Sequence, residues 1–223
     1  MKKAKIGICA FCGKSKEVTA DHIPPRNIFP RPLSNGIKLL TVPGCNDCNH
    51  GSSSDDEVFK LHISMKSGMN SQPTLNLHNS VKRTVQKNLR LRRLIKENSV
   101  PLLLPKEGNK FSKQSIFKYD PAPIKRVGEK IIKGLYFNHF GKCLEGKADI
   151  IFLLADEIKM YQMLTIDDIV KDIRQHETLQ EIGGNREFQY LFTQTESEYG
   201  TGWVFIFNGR CAMVGLTIPK ENI

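Results

Sequence analysis

Apolar residues recur along this 223-residue chain at two spacings, and the change from one to the other orders most of it. Val81, Val85 and Leu89 come every four residues and Leu94 and Ile95 extend the stripe, which predicts one helix over 77–98. Val127, Ile131, Ile132, Leu135 and Tyr136 predict a second over 124–140, with Gly141 suited to end it. Ser54 to Glu57 fits a capping box, so a helix should run from 55 to about 67, interrupted over Gly68 to Pro73. A further helix is expected over 166–176. The spacing then switches to strands. Residues 188–194, 203–207 and 211–218 are rich in aromatic and β-branched side chains. Gly200, Gly202 and Asn208-Gly209 separate them, the last a type I′ hairpin signature. Residues 100–106, with 116–119 as partner, and 150–155 read as additional strands, and Gly183-Gly184 as a break.

The first fifty residues follow neither spacing. Two Cys-x-x-Cys pairs, Cys9/Cys12 and Cys45/Cys48, bracket an irregular stretch set by Pro24, Pro25, Pro30 and Pro32, through Asn35-Gly36. A short strand leads to Asp21-His22, and 37–42 is a second. Two tight turns that each present two thiolates supply the ligands of a closed tetrahedral zinc site. The remaining cysteines, Cys143 and Cys211, are isolated, a pattern that suits a reducing compartment and bound metal better than disulfides. No apolar stretch reaches membrane-spanning length and no long apolar core follows Met1 to Gly7, so the expected location is the cytoplasm.

Charge sharpens the picture. The net +10 is concentrated: residues 1–150 hold 27 Lys/Arg against 12 Asp/Glu, whereas 151–223 hold 6 against 11. The expected helix over 77–98 carries Lys82, Arg83, Lys87, Arg90, Arg92, Arg93 and Lys96 against Glu97 alone. Such a field suits a polyanionic partner, with affinity that falls with salt. A solvated surface helix is the plain alternative for that segment. The acidic C-terminal region suits a scaffold or a protein-partner surface.

The order of Cys9, Cys12, Asp21, His22, Cys45, Cys48 and Asn49 resembles the HNH endonuclease family in its zinc-stapled ββα-metal form, over roughly residues 6–60. The resemblance implies an α+β fold: a treble-clef-like N-terminal module with structural zinc, then a helical middle and a C-terminal antiparallel sheet. The module would occupy 1–70 and a domain of unknown role 71–223. It also implies hydrolysis of phosphodiester bonds in DNA, with His22 as general base. Asp21 and Asn49 would hold one divalent cation, magnesium or manganese by the oxygen donors they offer. His50, one residue on, competes with Asn49 for that place and would favour a softer ion. The family's middle Asn, which orients the base, has no counterpart here: Leu39, Leu40 and Thr41 fill its neighbourhood and Asn35 is too far back. Thr41 or a backbone carbonyl is the available substitute. Two alternatives therefore stand beside the nuclease. One is a zinc module that binds nucleic acid without cleaving it, and the other a partner-binding component with a purely structural zinc. Restriction, phage defence, mobile elements and phage packaging all accommodate such a chain.

Overall fold

Helix α5 (Ala122–Phe140) lies between two sheets and carries the packing of both. The computed structural model describes residues 5–29, 33, 37–50, 53–106, 110–155, 157, 179–184 and 186–220. In chain order these form β1 (Lys5–Ile8), β2 (Ser15–His22), a 3-10 turn (Arg26–Ile28), β3 (Thr41–Cys45), α1 (Asn46–His50), α2 (Ser53–Ser67), α3 (Gln72–Lys87) and α4 (Leu89–Glu97). There follow β4 (Ser99–Lys106), β5 (Lys110–Phe117), α5, β6 (Ala148–Leu154), β7 (Gln180–Ile182), β8 (Phe188–Gln194), β9 (Thr201–Phe207) and β10 (Cys211–Pro219). The fold is mixed α and β. The helix expected over 166–176 lies outside the described residues.

Strands β1, β2 and β3 make an antiparallel N-terminal sheet in that order, and β4 pairs with β5 in a separate ribbon. The C-terminal sheet runs β6-β10-β9-β8-β7, all antiparallel. Its central hairpin turns at Asn208 and Gly209, whose φ of 49° and 67° are the left-handed values a type I′ turn requires. Alternation then puts Phe188, Tyr190 and Phe192 of β8 opposite Phe207, Phe205 and Trp203 of β9, a layer of buried or half-buried rings. Phe59 of α2 meets Phe207 edge-on at 5.4 Å, and the Tyr136 hydroxyl of α5 donates to the Glu198 carbonyl at 2.7 Å.

Two glycines let α5 come close to its neighbours on both sides. A Cβ at Gly128 would lie 2.4 Å from the Phe152 ring of β6, and one at Gly134 would lie 2.5 Å from Ile23, the residue after His22. One buried core accordingly runs from Cys9, Phe11 and Ile23 through α2 and α5 to Trp203 and Met213, crossing the 70/71 boundary without a break.

The segment read as one helix over 77–98 is two. Asn88 adopts extended backbone angles, φ −96° and ψ 102°, and its side chain accepts from the Leu91 amide at 3.0 Å, which starts α4 afresh. Leu89, counted in the apolar stripe, is consequently 74% exposed. Asn88 also donates to the Glu57 carboxylate, fixing the start of α4 on α2. Asn88→Ala should therefore cost about 1–2 kcal/mol in a urea unfolding curve, the usual worth of a lost cap; an unchanged midpoint would show that the cap holds nothing together.

Candidate functional site

The four paired cysteines converge. Cys9 closes a turn in which the Gly13 amide donates to the Cys9 carbonyl at 2.9 Å, with Gly13 at φ 67°. Cys45 ends β3, and Cys48 sits one turn into α1. The Ala10 amide donates to the Pro43 carbonyl at 2.8 Å, joining the two turns, and the Cys45 amide donates to the Cys9 sulfur at 3.4 Å. The four sulfurs lie within 4.8 Å of one another, and Cys12 and Cys45 are 3.9 Å apart. A tetrahedral centre with metal–sulfur bonds of about 2.3 Å has sulfur–sulfur edges of about 3.8 Å, so this set can hold a metal ion with slight contraction.

The thiols are not equivalent. Burial raises Cys9, yet amide donors from Cys45, Cys12 and Phe11 outweigh it and bring the thiol down to about 7. Burial and the neighbouring sulfurs push Cys12 and Cys48 up. Loading a metal must therefore expel protons from at least those two, and affinity should weaken in acid. Cys143 stays outside the cluster, its thiol donating to the Cys9 carbonyl at 3.3 Å, and Cys211 is buried in β10.

Asp21 and His22 end β2, paired in register with Val42 and Thr41 of β3. Neighbouring residues of a strand face opposite ways. Asp21 shares its face with Thr19, whose hydroxyl accepts from the Asn49 amide at 3.4 Å, so α1 and the carboxylate lie on one side of the hairpin. His22 pairs with Thr41 across the hairpin, and the Leu40 carbonyl accepts from the Ile23 amide at 3.0 Å. Lys16 of β2 and Asp47 of α1 pair at 2.7 Å and hold the short helix to the strand. His50 closes α1, its side chain outside the description, and Asn35 lies outside the described residues.

On Asp21 itself sits a residue that no sequence motif marks. Lys130 of α5 places its ammonium 2.7 Å from Asp21 Oδ2, both side chains only 12% exposed. The same ammonium lies 5.1 Å from the centre of the Phe11 ring, between Cys9 and Cys12. The first turn of α2 adds to this cluster. Ser54, expected as the cap, is already inside the helix, and Glu57 accepts from Asn88 rather than reaching back. Asp55 takes a two-pronged bond from Arg126 at 2.7 and 2.9 Å. The Asp56 carbonyl accepts from Asn27 at 3.1 Å.

Burial pushes the Asp56 carboxyl up to about 6; Lys130 opposes this, whereas Asp21, Asp55 and Glu57 reinforce it. A carboxyl raised in the folded state keeps its proton where the unfolded chain has lost it. Its contribution is therefore most favourable below the ordinary carboxylate value near 4 and disappears as pH climbs to about 6. Asp56→Asn should then stabilise the protein by about 1–3 kcal/mol at pH 7.5 and by much less at pH 4.5. Urea titrations at the two pH values would decide it, and equal effects at both would refute the buried charge.

Lys82, Arg83 and Lys87 of α3 and Arg90, Arg92, Arg93 and Lys96 of α4 are all exposed. Two open depressions run along these helices, one lined by Asn76, Asn79, Lys82, Arg83 and Gln86, the other by Leu89, Arg92, Arg93, Lys96 and Glu97. Among the described residues no helix is long and apolar enough to cross a membrane.

Comparison with known protein families, with curated proteins and with solved structures returned no match. The site must be read from its own geometry. Sequence reasoning missed Lys130, Asp56 and Asn27; the first two were legible only as an isolated charge on a helix and a presumed first-turn acid.

Proposed function

We propose that this chain is a metal-dependent endonuclease of HNH type that hydrolyses phosphodiester bonds in DNA. Zinc on Cys9, Cys12, Cys45 and Cys48 staples a treble-clef-like module, His22 is the general base, and Asp21 with Asn49 would hold one divalent cation, magnesium or manganese. The observation that carries this reading is the chain order. Antiparallel β2 and β3 lead directly into α1, with Asp21-His22 at the end of one strand and Asn49 on the helix, and the four-cysteine cluster at the base of the hairpin.

His22 would take a proton from the attacking water, for which its imidazole must be neutral, so turnover should decline as acid protonates it. Thr41 pairs with His22 across the hairpin, and it or a backbone carbonyl would take the part of the missing Asn. A divalent cation held by Asp21 and Asn49 would supply charge neutralisation during phosphodiester hydrolysis. The cations of α3 and α4 would follow the phosphate backbone, fixing the duplex without reading its sequence.

The Lys130–Asp21 pair favours one rival reading, a binding module that does not cut, because an ammonium already holds the carboxylate. Nicking of supercoiled plasmid in magnesium, manganese or chelator, beside DNA binding measured across a salt series, separates the two. Cleavage that needs metal supports the nuclease. Salt-sensitive binding without cleavage in any metal would leave the binding module.

A further inference from the structure

Lys130 of the central helix sits on Asp21, although no sequence motif places it there. Its ammonium lies 2.7 Å from Asp21 Oδ2, under the Phe11 ring, and within the field of Asp56. One turn further along α5, Gly134 packs so closely on the Ile23 side chain that a Cβ there would lie 2.5 Å from it. A largely buried lysine is costly to place, and its attraction to carboxylate repays that cost only at close range with good geometry. A lysine serving packing alone would leave its charge in water.

The geometry points to Lys130 as a positioning residue that holds the Asp21 carboxylate toward the end of the hairpin and, by its own charge, limits how tightly that carboxylate takes a divalent cation. This rests on the nuclease reading for the role of Asp21. Two consequences run in opposite directions. Removing the ammonium leaves Asp21 and Asp56 in each other's field with no charge between them, so a cation there should bind more tightly. It also frees the Asp21 side chain, so the bound cation should be worse placed for reaction. A merely structural lysine would weaken both.

The test uses the full zinc-loaded chain, with manganese as the probe, its free concentration followed by electron paramagnetic resonance. Lys130→Met should lower the half-saturating manganese concentration about tenfold, since a unit charge a few ångströms away is removed. Its nicking rate at saturating manganese should fall about tenfold or more. Lys130→Arg, which keeps the charge, should stay within about threefold of wild type in both, and Asp21→Asn should abolish the bound manganese. Should Lys130→Met lose its zinc, Lys130→Gln provides the same neutral comparison while keeping a donor for Oδ2. Tighter binding in a protein that cuts no DNA would sustain the inference and sink the nuclease. Unchanged or weaker binding in a zinc-loaded variant of an active nuclease would overturn the inference alone. Absence of any Asp21-dependent manganese would overturn both.

Discussion

Cys45→Ser is expected to strip the protein of its metal and unfold the N-terminal sheet with it. Cys45 is 1% exposed and ends β3, so its sulfur is committed to the cluster from a strand rather than from a mobile loop. The N-terminal sheet is small, although one face of it joins the core around α5. Its strands are four, eight and five residues long, and β1 places Ile6 and Ile8 largely in solvent. A four-thiolate zinc site contributes on the order of 10–16 kcal/mol to folding, as much as the whole stability of an ordinary domain. Metal analysis should show about one zinc per wild-type chain and almost none in the variant, with a melting temperature lower by 10 °C or more. Cys211→Ser, also buried but in the distant β10, is the control that should keep its zinc. A Cys45→Ser protein with full zinc and an unchanged melt would refute the structural role of the cluster.

The second large effect belongs to His22. If it is the base, His22→Ala should slow metal-dependent nicking by about 10²- to 10⁴-fold while zinc content and DNA binding stay as they were, because the change removes proton transfer and little else. The sulfurs and the cations of α3 and α4 are on separate elements, so neither should respond. Equal nicking by wild type and variant would assign the cleavage to another residue or to a contaminant. Raising salt should weaken wild-type and variant binding in parallel, since the proposed phosphate contacts of α3 and α4 would be common to both.

How far the chain could be read depended on whether the deciding contact was local. The cysteine pairs were legible because each pair is set by its own turn, and pairing of the two turns follows from valence. The Asn208-Gly209 hairpin was legible because left-handed backbone at two successive positions selects those residue types. Helix α5 and its end at Gly141 were legible from spacing and from one left-handed residue. The break at Asn88 was not, because Val81, Val85 and Leu89 keep their period straight through it. What ends α3 there is a side-chain cap that competes with the helix for the Leu91 amide. Strand β5 was read as 116–119 because its earlier residues, Lys110 to Ser115, are mostly polar, whereas pairing with β4 sets it at Lys110–Phe117. Strand β1, only four residues long, was not singled out at all. At the site, Asp21, His22 and Asn49 could be singled out by their order, but Lys130 could not. It joins them through a buried ion pair that only the packing of α5 creates, and no local pattern encodes a partner so distant in the chain.

The first turn of α2 is the place where four elements are tied by successive residues: Ser54 to Arg90 of α4, Asp55 to Arg126 of α5, Asp56 to Asn27 of the 3-10 turn, and Glu57 to Asn88. Two of these are side-chain pairs, Asp55 with Arg126 and Glu57 with Asn88, whereas at Ser54 and Asp56 the backbone carbonyl accepts. Over evolutionary time the ion pair can drift only by paired exchange: a descendant that loses the carboxylate at 55 has no further use for a guanidinium at 126, whereas one that loses Glu57 still needs Asn88 to cap α4. Correlated loss at 55/126, with the sulfurs unchanged, is thus the signature by which diverged copies of this fold could be told from chains that share only the cysteine spacing.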